Sequence, residues 1–570
     1  MSQTDAVAKP SSDEIVSNEG EVAELSNKKT LEPLAYRYIS EYKQGIEYGQ
    51  KPVTSPVEVD ELASKIAKLY EKLRRIIDWK EENIIRRTAI ERILKRTLLS
   101  ELSGIGQSSL NAEKITEPLI MEMVRSGYFS TGKVSKNKIP LAKNSLKKYI
   151  YILNHSPYSK NGNLQIKEKV NFFNWILEIA ACEVEEILEP AFKENALINF
   201  MTATINQRLK VLPKGMLSEE EALIQTYIAV HRTLYSLDSP LIIYNLIKYY
   251  YPRWFEDDQN FIDEFAQNIT QIYHRLEGDL EHEQGKEFFK ICDRYDAAFL
   301  ILGDVMQEIE SKPEKIEETL SNKASLFKTI EIVYKRRLST LKQRLYRSAV
   351  YSTLSIFVAG IVSFALFEGP VAELVGDGFS WFALFVDLAV PSAMMFLLVI
   401  TIKPPGPDNL KRVKEEIQKI LYKLDEPEVY EINFAKKQNW LVHTFFSLIS
   451  LIGGAIGAYA VFLIFKIAGV PWTSIYIDTI NVAMVVFAAM VIRHKAQELT
   501  IQDSGGVLTM MLDFFYLPLA KLGQWFSQKW KEYNIVSVFF SALIDAPFSM
   551  VVGLIEDWRA FLRDRRSQIH

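Results

Sequence analysis

Two cysteines in 570 residues, Cys182 and Cys292, are too few for a disulfide framework, and neither has the CxxC spacing of a thiolate zinc site. Charge of one sign is also lacking. The 67 Lys+Arg against 71 Asp+Glu leave a net charge of −4, which excludes a basic nucleic-acid coat and a polyacidic tail. The chain has no G-x-S-x-G elbow, no H-E-x-x-H and no G-x-G-x-x-G after a strand, so no motif argues for an enzyme and no cofactor is expected. Its first twenty residues have neither the basic nor the apolar region of a signal peptide. No series of short alternating runs with Asn-Gly or Asp-Gly turns supports a sandwich, barrel or βαβ sheet, and no fixed-period repeat is visible.

Four near-motifs have plainer readings. Gly127 to Val134 fits G-x-x-x-x-G-K but lacks the following Ser/Thr and the preceding strand, so a loop is expected. Lys133, Lys136, Lys138, Lys143, Lys147 and Lys148 form a basic stretch without an acid, read as solvated because no nucleic-acid module accompanies it. His274, Glu277, Glu281 and His282 bring imidazole and carboxylate to one helix, but not in the E-x-x-H order of di-iron bundles. The Tyr249–Trp254 run ends a helix at Pro252 and reads as a core plug.

What the sequence does have is a change of solvent along its length. Up to about Arg347 no apolar run nears the roughly 20 residues needed to cross a bilayer. Four then follow: 349–367, 380–402, 441–465 and 475–492. In lipid each must be helical, because every backbone group has to find its partner within its own segment. Lys335, Arg336, Arg337, Lys342, Arg344 and Arg347 precede the first run, whereas the loop after it carries Glu368, Glu373 and Asp377 and no base. The second loop is again lysine-rich, the third has only Lys466, and Arg493 and Lys495 follow the fourth run. Every loop agrees with four spans and both termini on the cytoplasmic side. The outer loops are too short for an ectodomain, so partners would meet the cytoplasmic side.

Polar groups inside such spans are costly, which makes Asp387, Asp478, Asn481 and His443 candidates either for interhelical hydrogen bonds or for an ion or proton path. Pro391 removes the N–H that would bond the Asp387 carbonyl. Gly453, Gly454, Gly457 and Ala458 give the third run a face that a second helix can approach closely, within the bundle or between protomers. Between the second and third runs, residues 408–424 carry an apolar stripe opposed by bases. Lys411, Arg412, Lys414, Lys419 and Lys423 are candidates for contact with lipid headgroups, although packing of the stripe on the soluble domain is equally open. After the last run, the aromatic and lysine-rich stretch from Asp513 suits an interfacial helix. Residues 535–555, with Asp545 and Pro547 midway, read as surface-lying or re-entrant rather than as a fifth span.

The soluble part reads as helical. Residues 1–31 bury too little to be ordered. Leu62, Ile66, Leu69, Leu73 and Ile76 form a short helical seam, Ser218 with Glu221 a capping box, and Asp238-Ser239-Pro240 a helix start. The stretches LSEEEALIQTYIAVHRTLYSLDSP from Leu217, FFKICDRYDAAFLILGDVMQEIE from Phe288 and DFFYLPLAKLGQW with Asp545–Phe548 resemble uncharacterised multipass membrane proteins of small-genome candidate-phylum bacteria. That resemblance implies a bacterial cytoplasmic membrane and no chemistry.

The expectation is thus an all-α protein: a disordered tail (1–31), a helical cytoplasmic domain (32–347), a four-helix transmembrane bundle (348–495) and membrane-interfacial helices (496–570). The expected role is that of a membrane-anchored scaffold for a cytoplasmic protein partner, with a homo-oligomeric ion or proton pathway through Asp387 as the alternative. Its partners would be the lipid bilayer and protein, not nucleic acid.

Overall fold

The computed structural model describes residues 31–78, 82–103, 111–130, 132–160, 165–363, 381–402, 404–423, 428–434, 440–470, 472–501 and 518–525, with Trp558. The tail 1–30, the outer loop 368–379 and the segment 535–555 lie outside the described residues.

The fold is all-α. Among the described residues, ten helices longer than three turns come first: α1 (Pro33–Gln50), α2 (Glu61–Asp78), α3 (Glu82–Ser103), α4 (Ala112–Arg125), α5 (Lys138–His155), α6 (Ile166–Leu188), α7 (Phe192–Arg208), α8 (Glu219–Leu234), α9 (Ser239–Tyr250) and α10 (Gln259–Leu280). Then come α11 (Gly285–Ile309), α12 (Lys323–Ser363), α13 (Trp381–Ile400), α14 (Asp408–Leu421), α15 (Trp440–Ile467), α16 (Trp472–Ala496) and a short α17 at 518–525. Among the described residues the only sheet is a parallel pair, β1 (Leu209–Leu212) against β2 (Tyr430–Asn433), with Leu209 opposite Tyr430.

Local chemistry sets the helix ends. Ser218 and Glu221 form the expected capping box on α8, each side chain bonding the other's backbone N–H. Asp238 takes the N-cap position of α9, but its carboxylate is turned away to pair with the buried guanidinium of Arg87. Of the expected seam of α2, Leu62 is exposed and Ile66 half-buried against Ala63 and Ala67, while the side chains of Leu69, Leu73 and Ile76 lie outside the described set; Ser64 is buried beside them. Small residues win that face because α2 lies close to the end of α4, where Ser64 donates to the Arg125 carbonyl at 3.0 Å.

Two large cores hold the helices outside the apolar stretches. The first gathers α3–α6, α9 and α10, largely from one continuous stretch of chain. At its centre Glu183 accepts from Lys148 Nζ at 2.9 Å, Tyr149 Oη at 2.7 Å and Trp254 Nε1 at 2.7 Å. Trp254 is thus a core plug, and Lys148, the last of the basic stretch, is an internal cation.

The second core is discontinuous. It joins α1, α7, α8, α11 and the first half of α12 to α14, β2 and the turn residues Leu499 and Ile501. Val413, Ile417, Ile420 and Leu421, the stripe of α14, are fully buried in it. Of the two readings open for this stripe, packing on protein is the one present, because its apolar face is spent on the second core. Its bases follow suit: Lys414 pairs with Glu331 at 3.1 Å, Lys419 with Glu416 and Glu428, and Arg412 donates to the Ile501 carbonyl. Lys411 and Arg412 are exposed, and Lys423 lies near Glu32.

Helix α12 has 41 residues, about 60 Å at 1.5 Å per residue, and changes character along its length. Leu326, Ile330, Val333 and Leu341 are buried, whereas Tyr351, Leu354, Phe357, Val358 and Ile361 are exposed. Helices α13, α15 and α16 cover the other three apolar runs; α13 and α16 pack with the second half of α12, and α15 packs on α16 and α13. One described stretch, Asp478–Ala496, is long and apolar enough to cross a membrane, and Leu384–Ile400 and Ile452–Ile467 are shorter apolar stretches.

Candidate cleft at the base of the apolar helices

A large open cavity lies where the second core meets the apolar helices, and two helices build most of it. Arg337 of α12 donates to Asp304 of α11 at 2.6 Å, and Arg336 to Glu308 at the same distance, which sets the two helices antiparallel. Beyond this clamp, toward the apolar half of α12, both helices line an open cleft of about 1570 Å³. Residues 337, 340, 344 and 347 share one face of α12 by their steps of three and four, so Arg337, Thr340, Arg344 and Arg347 form one wall. Asp293, Asp296 and Asp304 of α11 line the facing wall by the same spacing. The segment leaving α16 supplies a third side with His494 and Glu498, and Glu498 takes the other half of the Arg337 guanidinium. Tyr38, Tyr42 and Tyr235 complete the lining.

Acids and bases alternate in the lining: Asp304 and Glu498 pair with Arg337, and Lys193, Arg232 and Arg294 stand among the other carboxylates. Burial, then the neighbouring Asp293, pushes the Asp296 carboxyl well up from its ordinary value. Seven and ten residues further along α12, Arg344 and Arg347 are exposed and form no ion pair among the described residues. The buried Tyr38 hydroxyl makes no hydrogen bond among the described residues. Ser236, also in the lining, holds a left-handed φ of 50°, which costs a non-glycine residue about 1 kcal/mol.

The residues singled out in the sequence fall elsewhere. Asp387 and Asp478 are buried, on α13 and α16, which pack on each other. Each stands six residues after the tryptophan that begins its helix, Trp381 or Trp472. Pro391 is buried near Asp387, Asn481 is half-buried one turn after Asp478, and His443 is on α15 with its side chain outside the described set. Gly453 and Gly454 are buried, and Gly457 and Ala458 half-buried. A Cβ on Gly454 would lie 2.5 Å from Pro518 Cβ, and one on Gly523 only 2.2 Å from the Ala483 carbonyl oxygen. The small-residue face therefore receives α17 of the same chain, with Leu519 and Ala520 buried against Val486. Far from this region, Gly127 and Gly132 take positive φ in the loop between α4 and α5, with a helix and no strand before it. No group of three or more metal-ligating side chains occurs among the described residues, and the His274–His282 set does not converge.

Sequence reading missed the cleft itself. Arg337, Arg344 and Arg347 carried a signal, one polar face running into an apolar helix, but they were read as topology markers only. Asp296 and Tyr38 carried none, since what brings them there is the packing of α1 and α11. No family model, curated protein or solved structure matches this chain.

Proposed function

We propose that the chain is a multipass protein of a bacterial cytoplasmic membrane, with α12, α13, α15 and α16 spanning the bilayer, and that it holds its helical domain at the inner face as a docking platform for a cytoplasmic protein. One observation carries this reading: the chain returns to the same soluble core after each apolar pair. Tyr334 precedes the first apolar stretch, Asn409 follows the second, and Leu499 and Ile501 follow the fourth. Asn409 donates to the Tyr334 hydroxyl at 3.0 Å and to the Leu499 carbonyl at 2.6 Å, and accepts from Ile501 N–H at 2.9 Å. An even number of crossings is the arrangement that leaves all three segments on one side. The outward sides of these helices support lipid contact, with Trp381, Phe385, Leu397, Ile456 and Ile467 each more than half exposed. The position of α17 against the middle of α15 and α16 supports a re-entrant or spanning C-terminal segment over one lying on the surface.

Cysteine labelling tests the topology. Ile467→Cys should react with an impermeant maleimide on intact cells and Lys411→Cys only after permeabilisation; the reverse pattern refutes it. The native thiols are both buried, so they contribute little background. Crosslinking mass spectrometry after gentle solubilisation tests the platform role, which fails if the soluble domain yields neither a partner nor a self-contact.

A second reading, an ion or proton path, is favoured by the matched burial of Asp387 and Asp478 on adjacent helices. Reconstituted vesicles would then show a flux that Asp387→Asn reduces, and silent vesicles would end it.

A further inference from the structure

One corner of the cleft holds a polar group that the fold leaves unused. Tyr38 is 1% exposed, and its hydroxyl lines the cleft without a hydrogen bond among the described residues. The groups that act on it electrostatically are Tyr235, Tyr42, Asp304 and Glu194, brought there by the end of α8, by α1, by α11 and by the first turn of α7. Tyr42 and Tyr235 also feel Glu194, which is exposed and forms no ion pair among the described residues. Three phenols thus stand near one carboxylate that has no cation. Bases beside these groups are committed elsewhere: Lys193 pairs with Glu310 at 2.7 Å, Arg337 is divided between Asp304 and Glu498, and Arg232 donates to the Leu280 carbonyl at 3.0 Å. Arg294 stands ten residues before Asp304 on α11 and Arg344 seven after Arg337 on α12, each roughly 10 Å or more away along its helix. The turn that presents Tyr235 is strained as well. Leu237 N–H closes on the His231 carbonyl at 3.0 Å and sets Ser236 in the left-handed conformation where glycine is usual. An unbonded buried hydroxyl and a left-handed serine both cost stability, and such costs gather at binding sites.

A primary alkylammonium supplies what this corner lacks, a positive charge for Glu194 and an N–H donor for the Tyr38 oxygen. A quaternary ammonium has no N–H to give. A guanidinium is a planar fork suited to one bidentate carboxylate, whereas the oxygens here come from separate elements and suit a compact charge on a flexible stem. The cleft is open and about 1570 Å³, too large to enclose a free amine, but a side chain reaching in from a docked segment needs this corner alone. We propose that the corner formed by Tyr38, Tyr235 and Glu194 binds the ammonium group of a lysine side chain presented by the protein that docks on the platform. The source of that lysine rests on the docking reading above, while the chemistry of the corner does not.

The probe is the tripeptide acetyl-Ala-Lys-Ala-amide, titrated into the full chain in nanodiscs and followed by saturation-transfer NMR. Saturation should concentrate on the lysine ε-methylene protons. The same peptide with its lysine Nε-acetylated should bind about tenfold more weakly, the worth of one charge-assisted hydrogen bond. Glu194→Gln, an exposed and near-isosteric change, should weaken the unmodified peptide by about the same factor. Tyr38→Phe should weaken it about fivefold and leave Tm unchanged or raised, because the hydroxyl it removes makes no bond within the fold. Equal binding of the acetylated peptide, or binding that neither variant weakens, overturns the proposal. A lowered Tm in Tyr38→Phe also overturns it, since the hydroxyl would then be bonded within the fold. Tighter binding of n-butylammonium than of the tripeptide overturns the docked source in favour of a free amine. The tripeptide reads the corner without any partner. Tripeptide binding beside a failed crosslinking experiment therefore places the fault in the platform reading, and a recovered partner without tripeptide binding places it in this corner.

Discussion

Asn409→Ala removes the buried amide that fastens three separate returns of the chain to each other. In the native protein it donates to the Leu499 carbonyl at 2.6 Å and accepts from Ile501 N–H at 2.9 Å, with the Tyr334 hydroxyl as a third partner at 3.0 Å. Its burial leaves little water to replace it. Leaving one backbone carbonyl and one backbone N–H unpaired costs about 1–2 kcal/mol each, so about 3 kcal/mol in all. That cost is local: it falls on the docking of 499–501 against α12 and α14. Hydrogen exchange on the purified full chain is the matching assay. The Ile501 amide should exchange about a hundredfold faster in the variant, while amides of α6 in the first core stay unchanged. Tyr334→Phe removes one acceptor and leaves both backbone bonds, so it should accelerate Ile501 less than tenfold. An Ile501 rate within threefold of wild type in Asn409→Ala, or equal loss of protection throughout both cores, would refute the idea that this residue is a local clasp.

Three further outcomes are expected. Glu183→Gln leaves Lys148 as a buried cation without its counterion and should destabilise the first core by about 3–5 kcal/mol, read from chemical denaturation; Lys148→Met with Glu183→Gln together should cost less than the two singly. Burial, then Glu91, pushes the Glu178 carboxyl from 4.5 to about 7, so the folded state binds more protons than the unfolded between these values and stability falls as pH rises through that window. Glu178→Gln should thus stabilise the protein at pH 8 by up to about 3 kcal/mol and leave it unchanged at pH 4, and equal effects at both values would contradict the cause. Gly523→Val sets a side chain against the Ala483 backbone and should undock α17, raising protease cleavage within 518–525; an unaltered digest would mean that the contact is dispensable.

Helices were legible wherever one segment decides its own state. The Ser218–Glu221 box needs only four residues, and the four apolar runs are helical as their composition requires. What stayed hidden depends on which neighbour arrives. The stripe of α14 fits lipid and protein equally, and only the presence of α11 and the start of α12 beside it selects protein. Asp238 has the sequence of a cap, yet a buried Arg87 from α3, 151 residues away in the chain, claims its carboxylate. The glycines of α15 announce a close approach without naming the visitor, which is α17. The cleft is the hardest case, since its walls come from α1, α11, α12 and the end of α16, and only the arginine face of α12 is visible in the sequence.

The two cores differ in a way that bears on how the protein works. The first is drawn mainly from one stretch between Val57 and Leu280, so its packing is complete before any apolar helix is reached. The second needs Leu31 at one end of the described chain and Ile501 near the other, with α14 and β2 between the two apolar pairs. It closes only when all four apolar helices have returned their ends to it. Long-range closure of this kind makes the second core and the apolar helices one cooperative unit, because moving α12 or α16 shifts residues that are buried on both sides of the boundary. The cleft lies on that boundary, with Arg337 bridging α11 to the segment that leaves α16. Breaking the Arg337 bridge therefore bears on the spacing of α11 and α12, and through the unbroken 41 residues of α12 on the packing of the apolar helices, whereas the first core would not register it.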